Sequence, residues 1–356
     1  MRKPSEYRIR ALDQWGRLLS LLASSKEWPG YDSGVTAEEF AELNQLIQTH
    51  VHHNGWFTEN NIRKALFAWG EELRSEKLME WLSRYATTEG GTAKKVGIIC
   101  AGNLPLVGLH DVLCVLLSGH IAYIKLSADD QLLMPALLKL LVRMDESLAE
   151  QLVYAEGRMN DMQAVIATGS NNTSRYFEQY FGHLPHIIRK SRTSVAILSG
   201  NESDEELNAL GRDIFDYFGL GCRNVSKVYL PEGYDMNRLF NALYPYHEIV
   251  NHHKYANNYD YNKAVWLLNA EKLLDNGFIL LKEDKSLASP TGSLYYEYYS
   301  SIAEIRASIA SRADEIQCIV SHADIAFGCS QQPALWDYAD GVDTLAFLDN
   351  MEGVIG

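Results

Sequence analysis

The sequence predicts an α/β protein in which a parallel-sheet layer and a second α/β layer follow a helical N-terminal segment. Three observations carry this expectation. Residues 1 to 92 show helical spacing only, from residue 94 short apolar strands alternate with glycine turns and helices, and the strands are apolar runs of the kind buried on both faces.

In residues 36 to 49, Phe40, Leu43 and Leu46/Ile47 recur at helical spacing. A turn at His53-Asn54-Gly55 follows, and Thr58 stands where it can N-cap one helix running on through KALFAWGEELRSEKLMEWLSRY. TTEGGT, residues 87 to 92, is the first expected boundary. Beyond it KVGIICAG reads as a buried strand ending in glycine, LPLVGLHDVLCVLLSG as an apolar helix closed by Gly119, and HIAYIKLS as a second strand. QLLMPALLKLLVRM is then a helix with Pro135 near its first turn, and QAVIATGS is a third strand. RTSVAILSG, DEELNALGRDIFDYFG and SKVYLP repeat the strand, helix, strand order. The division is therefore 1–92 helical, 93–200 a first α/β layer, 201–330 a second, and 331–356 a C-terminal segment. Such an order puts a ligand at the carboxyl ends of the strands, with the cleft between layers as the default site.

Composition bounds the partners. The 356 residues suit about two domains, and 47% hydrophobic with 22% charged residues exclude wholesale disorder. Lys and Arg number 32 against 46 Asp and Glu, a net charge of -14 with the cations scattered, so a nucleic-acid partner is not expected. Neither a membrane span nor a signal-peptide core is visible, and the expected location is cytoplasmic. Five cysteines without a CxxC pair argue against a disulfide framework or a zinc ribbon; Cys100, Cys114 and Cys318 lie in apolar runs and read as core thiols. His50, His52, His53, His252 and His253 form two clusters, but adjacent histidines rarely share one ion, so no metal is expected.

Cys222, in Phe218-Gly219-Leu220-Gly221-Cys222-Arg223-Asn224, is the candidate nucleophile. Its glycines let a substrate approach the backbone and Arg223 favours a thiolate; the alternative is an inert cysteine in a helix-ending glycine turn. Asn103, in Gly102-Asn103-Leu104-Pro105 after the first strand, either donates an N–H to an oxyanion or merely ends the strand. Lys125, followed by Ser127, either snorkels to solvent or meets an anion at the sheet edge. Thr168-Gly169-Ser170 joins a strand to a helix N-terminus, a natural phosphate site, although neither the dinucleotide fingerprint G-x-G-x-x-G nor a P-loop is present. Cys329, in FGCSQQP, is a rival thiol. The tyrosines of YANNYDYNKAVW and SLYYEYY either line an acyl tunnel or are ordinary strand packing.

The order strand-GNLP, strand-IKLS, strand-ATGS, then strand-helix-GLGC-strand resembles the aldehyde dehydrogenase superfamily. Within it, GNLPLVGLHDVLCVLLSGHIAYIKLS, FGLGCRNVSKVYLP and QQPALWDYADGVDTLAFL resemble the fatty acyl-CoA reductases related to the reductase component of bacterial luminescence, over residues 94 to 348. The resemblance implies an aldehyde-dehydrogenase-like fold with a nicotinamide cofactor domain over 93–200 and a catalytic domain over 201–330. It gives Cys222 the part of nucleophile and Asn103 that of oxyanion donor. Lys125, Ser127, Thr168, Gly169 and Ser170 are expected to hold the cofactor, NADPH or alternatively NADH. The substrate is an acyl-CoA or an acyl group on a carrier, the product a fatty aldehyde, and self-association is implied.

Two departures matter. TSVAILSG has no carboxylate where the superfamily's water-activating glutamate would fall, and DKSLASPTG lacks the glutamate that grips the nicotinamide ribose. Reducing a thioester needs no water, so the first loss disfavours acid formation alone. His183, His186, His252 and His253 have suitable acidity to handle the last proton, yet each reads more readily as a structural or surface histidine. Two other readings stay open: a cofactor-independent thiol acyltransferase or thioesterase, and a non-catalytic acyl-binding member.

Overall fold

A computed structural model describes residues 5–86 and 92–351, so the TTEGGT boundary lies almost wholly outside the described residues. The chain forms two compact units, one holding residues up to Lys190 and again from Ala334, the other Ser191–Pro333.

The first unit opens with helices α1 (Glu6–Ser24), α2 (Ala37–Thr49), α3 (Glu59–Glu72) and α4 (Ser75–Ser83). Thr36 starts α2 with a full capping box to Glu39, and Thr58 caps α3 by accepting the Asn61 N–H. The single long helix expected after Thr58 is in fact two. At its middle Leu73 is fully buried and leaves helical geometry (φ -83, ψ 22), and the Ser75 N–H donates to Asp13 Oδ1 of α1 at 3.0 Å, so a tertiary bond starts the second helix.

Five strands follow in this unit: β1 (Lys95–Ile99), β2 (Ile121–Lys125), β3 (Leu152–Tyr154), β4 (Ala164–Thr168) and β5 (His186–Arg189). They pair in the order β3-β2-β1-β4-β5, all parallel. Helices α5 (Leu109–Leu117) and α6 (Leu133–Met144) pack on one face together with α1 to α4, and α7 (Asn171–Phe181) lies on the other, where Phe177 and Phe181 meet Met162, Val165 and Ala167. The helical segment therefore shares one core with the sheet. Leu12, Leu18, Leu19 and Leu22 of α1 are essentially buried, each contributing about 1.5–3 kcal/mol, far more than helix propensity supplies.

The last segment returns to this unit as well. The Tyr338 hydroxyl accepts from Trp81 Nε1 at 2.7 Å and lies 2.6 Å from that of Tyr85, which donates to Asp343. Arg189 binds Asp111 Oδ2 at 2.5 Å and the Thr344 hydroxyl at 3.0 Å, all buried.

The second unit carries β6 (Thr193–Ile197), helix α8 (Asp204–Phe215), β7 (Val225–Pro231), helices α9 (Met236–Leu243) and α10 (His253–Leu268), β8 (Leu273–Asp275), β9 (Leu280–Glu283), β10 (Ser293–Tyr299), α11 (Ile302–Ala310) and β11 (Ile316–Val320). The sheet order is β11-β6-β7-β10-β9-β8, parallel except for β8 against β9. Helices α8 and α9 cover Val228 and Leu230 on one face; α11 covers Val195, Ile197 and Tyr229 on the other. A final helix, α12 (Thr344–Asn350), belongs to the first unit.

Candidate functional site

In the first sheet the chain runs from β1 outward to β2 and β3, then crosses back to β4 and β5 on the other side of β1. The strand order reverses at β1/β4, and loops leaving such a point at the carboxyl edge diverge to form a crevice. Asn103 leaves β1 there and is exposed; Lys125 ends β2 with its side chain exposed; Thr168 ends β4. Ser170 is the N-cap of α7, its hydroxyl accepting the Thr173 N–H at 3.2 Å. The structure thus gathers Asn103, Lys125, Ser127, Thr168, Gly169 and Ser170 on one edge of one sheet.

Gly102 is required by this packing. A Cβ built on it would stand 2.3 Å from the Ser127 hydroxyl and 2.9 Å from Asp129 Cβ, so only glycine lets the β1 and β2 loops touch. Asn54, from the turn after α2, ties both loops by donating to the carbonyls of Gly102 (3.1 Å) and Asp129 (3.3 Å). Leu106, buried four residues on, holds φ 60, a left-handed conformation costly for a side chain branched beyond Cβ. This edge offers a dinucleotide a hydroxyl at Ser127, a cation at Lys125 and the N-terminal turn of α7 after Ser170.

Cys222 belongs to the second unit. Helix α8 ends in three successive left-handed residues, Tyr217 (φ 53), Phe218 (φ 60) and Gly219 (φ 74), of which only the last is a glycine. Two non-glycine residues held there store about 1–3 kcal/mol each. The strain is held by Asn224, whose amide donates to the carbonyls of Asp213 (3.0 Å) and Asp216 (2.8 Å) while its oxygen accepts the Gly221 N–H at 2.8 Å. The Asn224 N–H closes the turn on the Gly221 carbonyl at 3.0 Å, leaving Cys222 half-buried inside it. Ser194 of β6 donates to the Cys222 carbonyl at 2.9 Å. Phe218 stacks on His252 at 4.1 Å, so of the four histidines weighed from sequence His252 is the one this turn gathers; His183 and His186 are exposed in the first unit.

The rival thiol, Cys329, is also half-buried, in a loop pinned to α8. Asp213 Oδ2 accepts the Gly328 N–H at 2.6 Å and Oδ1 the Ser330 N–H at 2.9 Å; burial pushes its carboxyl up, against these two N–H groups that pull it down. Arg223 is largely buried and donates to the Ser330 carbonyl at 3.3 Å. Burial pushes the Cys100 thiol up to about 12 and Cys114 well above its ordinary value, as expected of core cysteines.

The carboxylate nearest the missing water-activating motif is Glu202, two residues past Gly200. It is buried and spent on the backbone, accepting from Ser199 N–H at 2.5 Å, Ser199 Oγ at 2.8 Å and Gly200 N–H at 3.0 Å. Its role was not readable from residue type alone. The part of Asn224 was missed as well, although an asparagine closing a glycine turn is a signal that could have marked it. Among the described residues, no group of three or more His, Cys, Asp or Glu side chains is arranged to hold a metal ion, and no helix is long and apolar enough to cross a membrane.

Solved structures with the same fold include aldehyde dehydrogenases. The indole-3-acetaldehyde dehydrogenase AldA of P. syringae, in complex with NAD+ and IAA, superposes with a TM-score of 0.61 at 13% identity over 88% of this chain and 71% of that one. HpcC from Thermus thermophilus gives 0.62 at 12% over 89% and 70%, and a Mycobacterium tuberculosis aldehyde dehydrogenase complexed with NAD+ gives 0.57 at 16% over 85% and 71%. No curated protein sequence matches significantly. The profile of the acyl-CoA reductase (LuxC) family matches residues 39–242, which span α2 to α9 and include both the Asn103 loop and the Cys222 turn. With more than half its length inside that match and an aldehyde dehydrogenase fold around it, the chain belongs to the acyl-CoA reductase (LuxC) family, whose chemistry is aldehyde-related oxidation and reduction.

Proposed function

We propose that the protein reduces a long-chain acyl-CoA, or an acyl thioester on a carrier protein, to the fatty aldehyde through a thioester on Cys222, using NADPH or NADH. The observation that carries this reading is the Cys222 turn: a half-buried thiol held by Asn224 beyond three left-handed residues, in a chain of this family.

The Cys222 thiolate forms a bond to the thioester carbonyl carbon; collapse of the oxyanion breaks the bond to coenzyme A sulfur, which leaves as thiolate and takes a proton from water. Asn103 and the Cys222 backbone N–H are the donors assigned to the oxyanion by the family resemblance. Lys125, Ser127 and the Thr168 to Ser170 turn would hold a reduced nicotinamide cofactor, which when bound would supply the hydride that the acyl carbon needs. The C–S bond to Cys222 then breaks, aldehyde leaves and the thiolate returns. The engagement of both Glu202 oxygens by Ser199 and Gly200 supports this direction, since it turns the carboxylate onto its own loop.

Incubation with palmitoyl-CoA without nucleotide, followed by peptide mass mapping, tests the reading. The expected result is acylation at Cys222 that disappears when NADPH is added, with aldehyde appearing. Labelling at Cys329 alone, or none, overturns it. Absence of NADPH and NADH binding by tryptophan fluorescence would favour a cofactor-independent acyltransferase instead.

A further inference from the structure

Strand β6 reads TSVAI and is buried along its whole length, with Val195, Ala196 and Ile197 packed into apolar cores. Within it Ser194 carries a hydroxyl at 0% exposure. A buried hydroxyl is costly unless its hydrogen bonds are made, and a valine would fill a place in such a strand without that demand. Both neighbouring strands also slip by one residue here. On one side Ser194 pairs with Val225 and Val195 with Lys227, so Ser226 is extra; on the other, Thr193 pairs with Ile316 and Val195 with Ile319, so two residues of β11 face Ser194 alone. Irregularities of this kind re-aim a side chain.

The Ser194 side chain is aimed at the Cys222 turn. Its hydroxyl donates to the Cys222 carbonyl at 2.9 Å and its backbone N–H to the Asn224 carbonyl at 3.2 Å, so one residue holds the turn at two points. With its single proton spent on Cys222, the hydroxyl oxygen can only accept from its other partners. Both come from Cys318 of β11: the backbone N–H at 3.2 Å and the thiol at 3.0 Å, which is therefore an S–H donor. The bonds run in one direction, from Cys318 to Ser194 to Cys222. Two donors on one oxygen direct its proton to the Cys222 carbonyl and polarise the bond it makes there.

This bond completes the anchoring of the backbone around Cys222. The Gly221 carbonyl accepts the Asn224 N–H at 3.0 Å, which fixes the peptide before Cys222, and the Ser194 hydroxyl fixes the peptide after it. With both peptide planes held, the thiol moves only by rotation about its own Cα–Cβ bond.

We propose that Ser194, oriented by the Cys318 thiol, is a positioning residue that sets the angle at which Cys222 meets an acyl thioester. The inference rests on the proposed part of Cys222 as nucleophile. Ser194 acts through the Cys222 peptide, and a misplacement of about 1 Å in a reacting pair costs on the order of a hundredfold in rate.

The test follows Cys222 in the full chain by peptide mass under two electrophiles. Palmitoyl-CoA, given without nucleotide, has a carbonyl that must be approached along a set direction, whereas iodoacetamide is small and turns freely to meet the thiol. In Ser194→Ala, acylation at saturating palmitoyl-CoA slows roughly ten- to a hundredfold with the half-saturating concentration unchanged, while alkylation stays within about threefold of wild type. Cys318→Ala slows acylation roughly two- to tenfold, as loss of one hydrogen-bond donor implies, and Cys318→Ser, which returns a donor, restores it. The Cys318 pair decides the matter if Ser194→Ala does not fold. Acylation at the wild-type rate in Ser194→Ala, or equal acylation in the two Cys318 variants, overturns the proposal. So do acylation and alkylation changing by the same factor, which is what a general loosening of the fold produces. If the wild type takes no acyl group at Cys222, the proposed function fails, and the hold is read from hydrogen exchange of the Gly221 and Asn224 amides that close the turn. Exchange faster by about tenfold in Ser194→Ala then leaves Ser194 standing as the anchor of the turn, and equal exchange overturns that too.

Discussion

Replacing Asp130 by asparagine should make the protein more stable at neutral pH. Burial of this side chain, only 3% exposed, raises its carboxyl to about 6 in the folded protein against an ordinary 3.8. At about 1.4 kcal/mol per tenfold change in proton affinity, that gap corresponds to about 3 kcal/mol of folding free energy lost whenever Asp130 is ionised. The sign follows from proton counting. Between pH 4 and 6 the folded state binds more protons at this site than the unfolded chain, so the contribution of Asp130 worsens as pH rises through that window and is fully unfavourable above it. His50 acts oppositely, since a histidine whose folded value is lowered costs stability as pH falls below about 6.5. Comparing variant with wild type isolates the carboxylate. Urea unfolding at a series of pH values should show Asp130→Asn ahead by up to about 3 kcal/mol at pH 7, the advantage shrinking toward zero near pH 4. A variant less stable than wild type by the same amount at every pH would refute the reasoning, because it would mean that the carboxylate is a net structural asset.

Asp111→Ala should leave Arg189 charged and buried without its partner, costing about 3–5 kcal/mol by denaturant midpoint, whereas Asp111→Ala with Arg189→Met should recover most of it. Gly102→Ala should weaken NADPH binding roughly five- to hundredfold, as overpacking of about 1–3 kcal/mol against Ser127 and Asp129 implies, read by titration of the tryptophan fluorescence. With a thiol-reactive dye on the native protein, Cys100 and Cys114 should stay unlabelled until urea unfolds the first unit, while the half-buried Cys222, Cys318 and Cys329 label first, Cys318 being less deeply buried than its apolar run implies.

The parts of the fold visible in sequence are those whose side chains carry the burial. β1, β2, β4, β6 and β7 are apolar runs, and α2, α6 and α8 show one buried stripe each with a capping residue or early proline at the start of the helix. β3 and β5 are edge strands of three and four residues with exposed positions, so no apolar run marks them. The β6 strand, placed by range with the first layer, hydrogen-bonds into the second sheet, because pairing partners are set by topology and not by proximity in the chain. At the candidate site, residue type and turn context pointed to Cys222, Asn103 and the Lys125 to Ser170 edge. Asp130 and His50 were hidden for a different reason. A histidine cluster and an aspartate eighty residues later have no local signature of contact, and only folding brings buried His50 Nε2 within 3.9 Å of Asp130 Oδ1.

The return of residues 334–351 to the first unit makes the second unit an insertion within the first. During synthesis the unit at Ser191–Pro333 is complete as soon as it clears the ribosome, whereas the earlier-made unit still waits for Tyr338, Asp343 and Thr344 to cap Trp81, Tyr85 and Arg189. The usual order, first made and first finished, is thus inverted, and any chain released before residue 334 would carry a finished second unit on an unfinished first one.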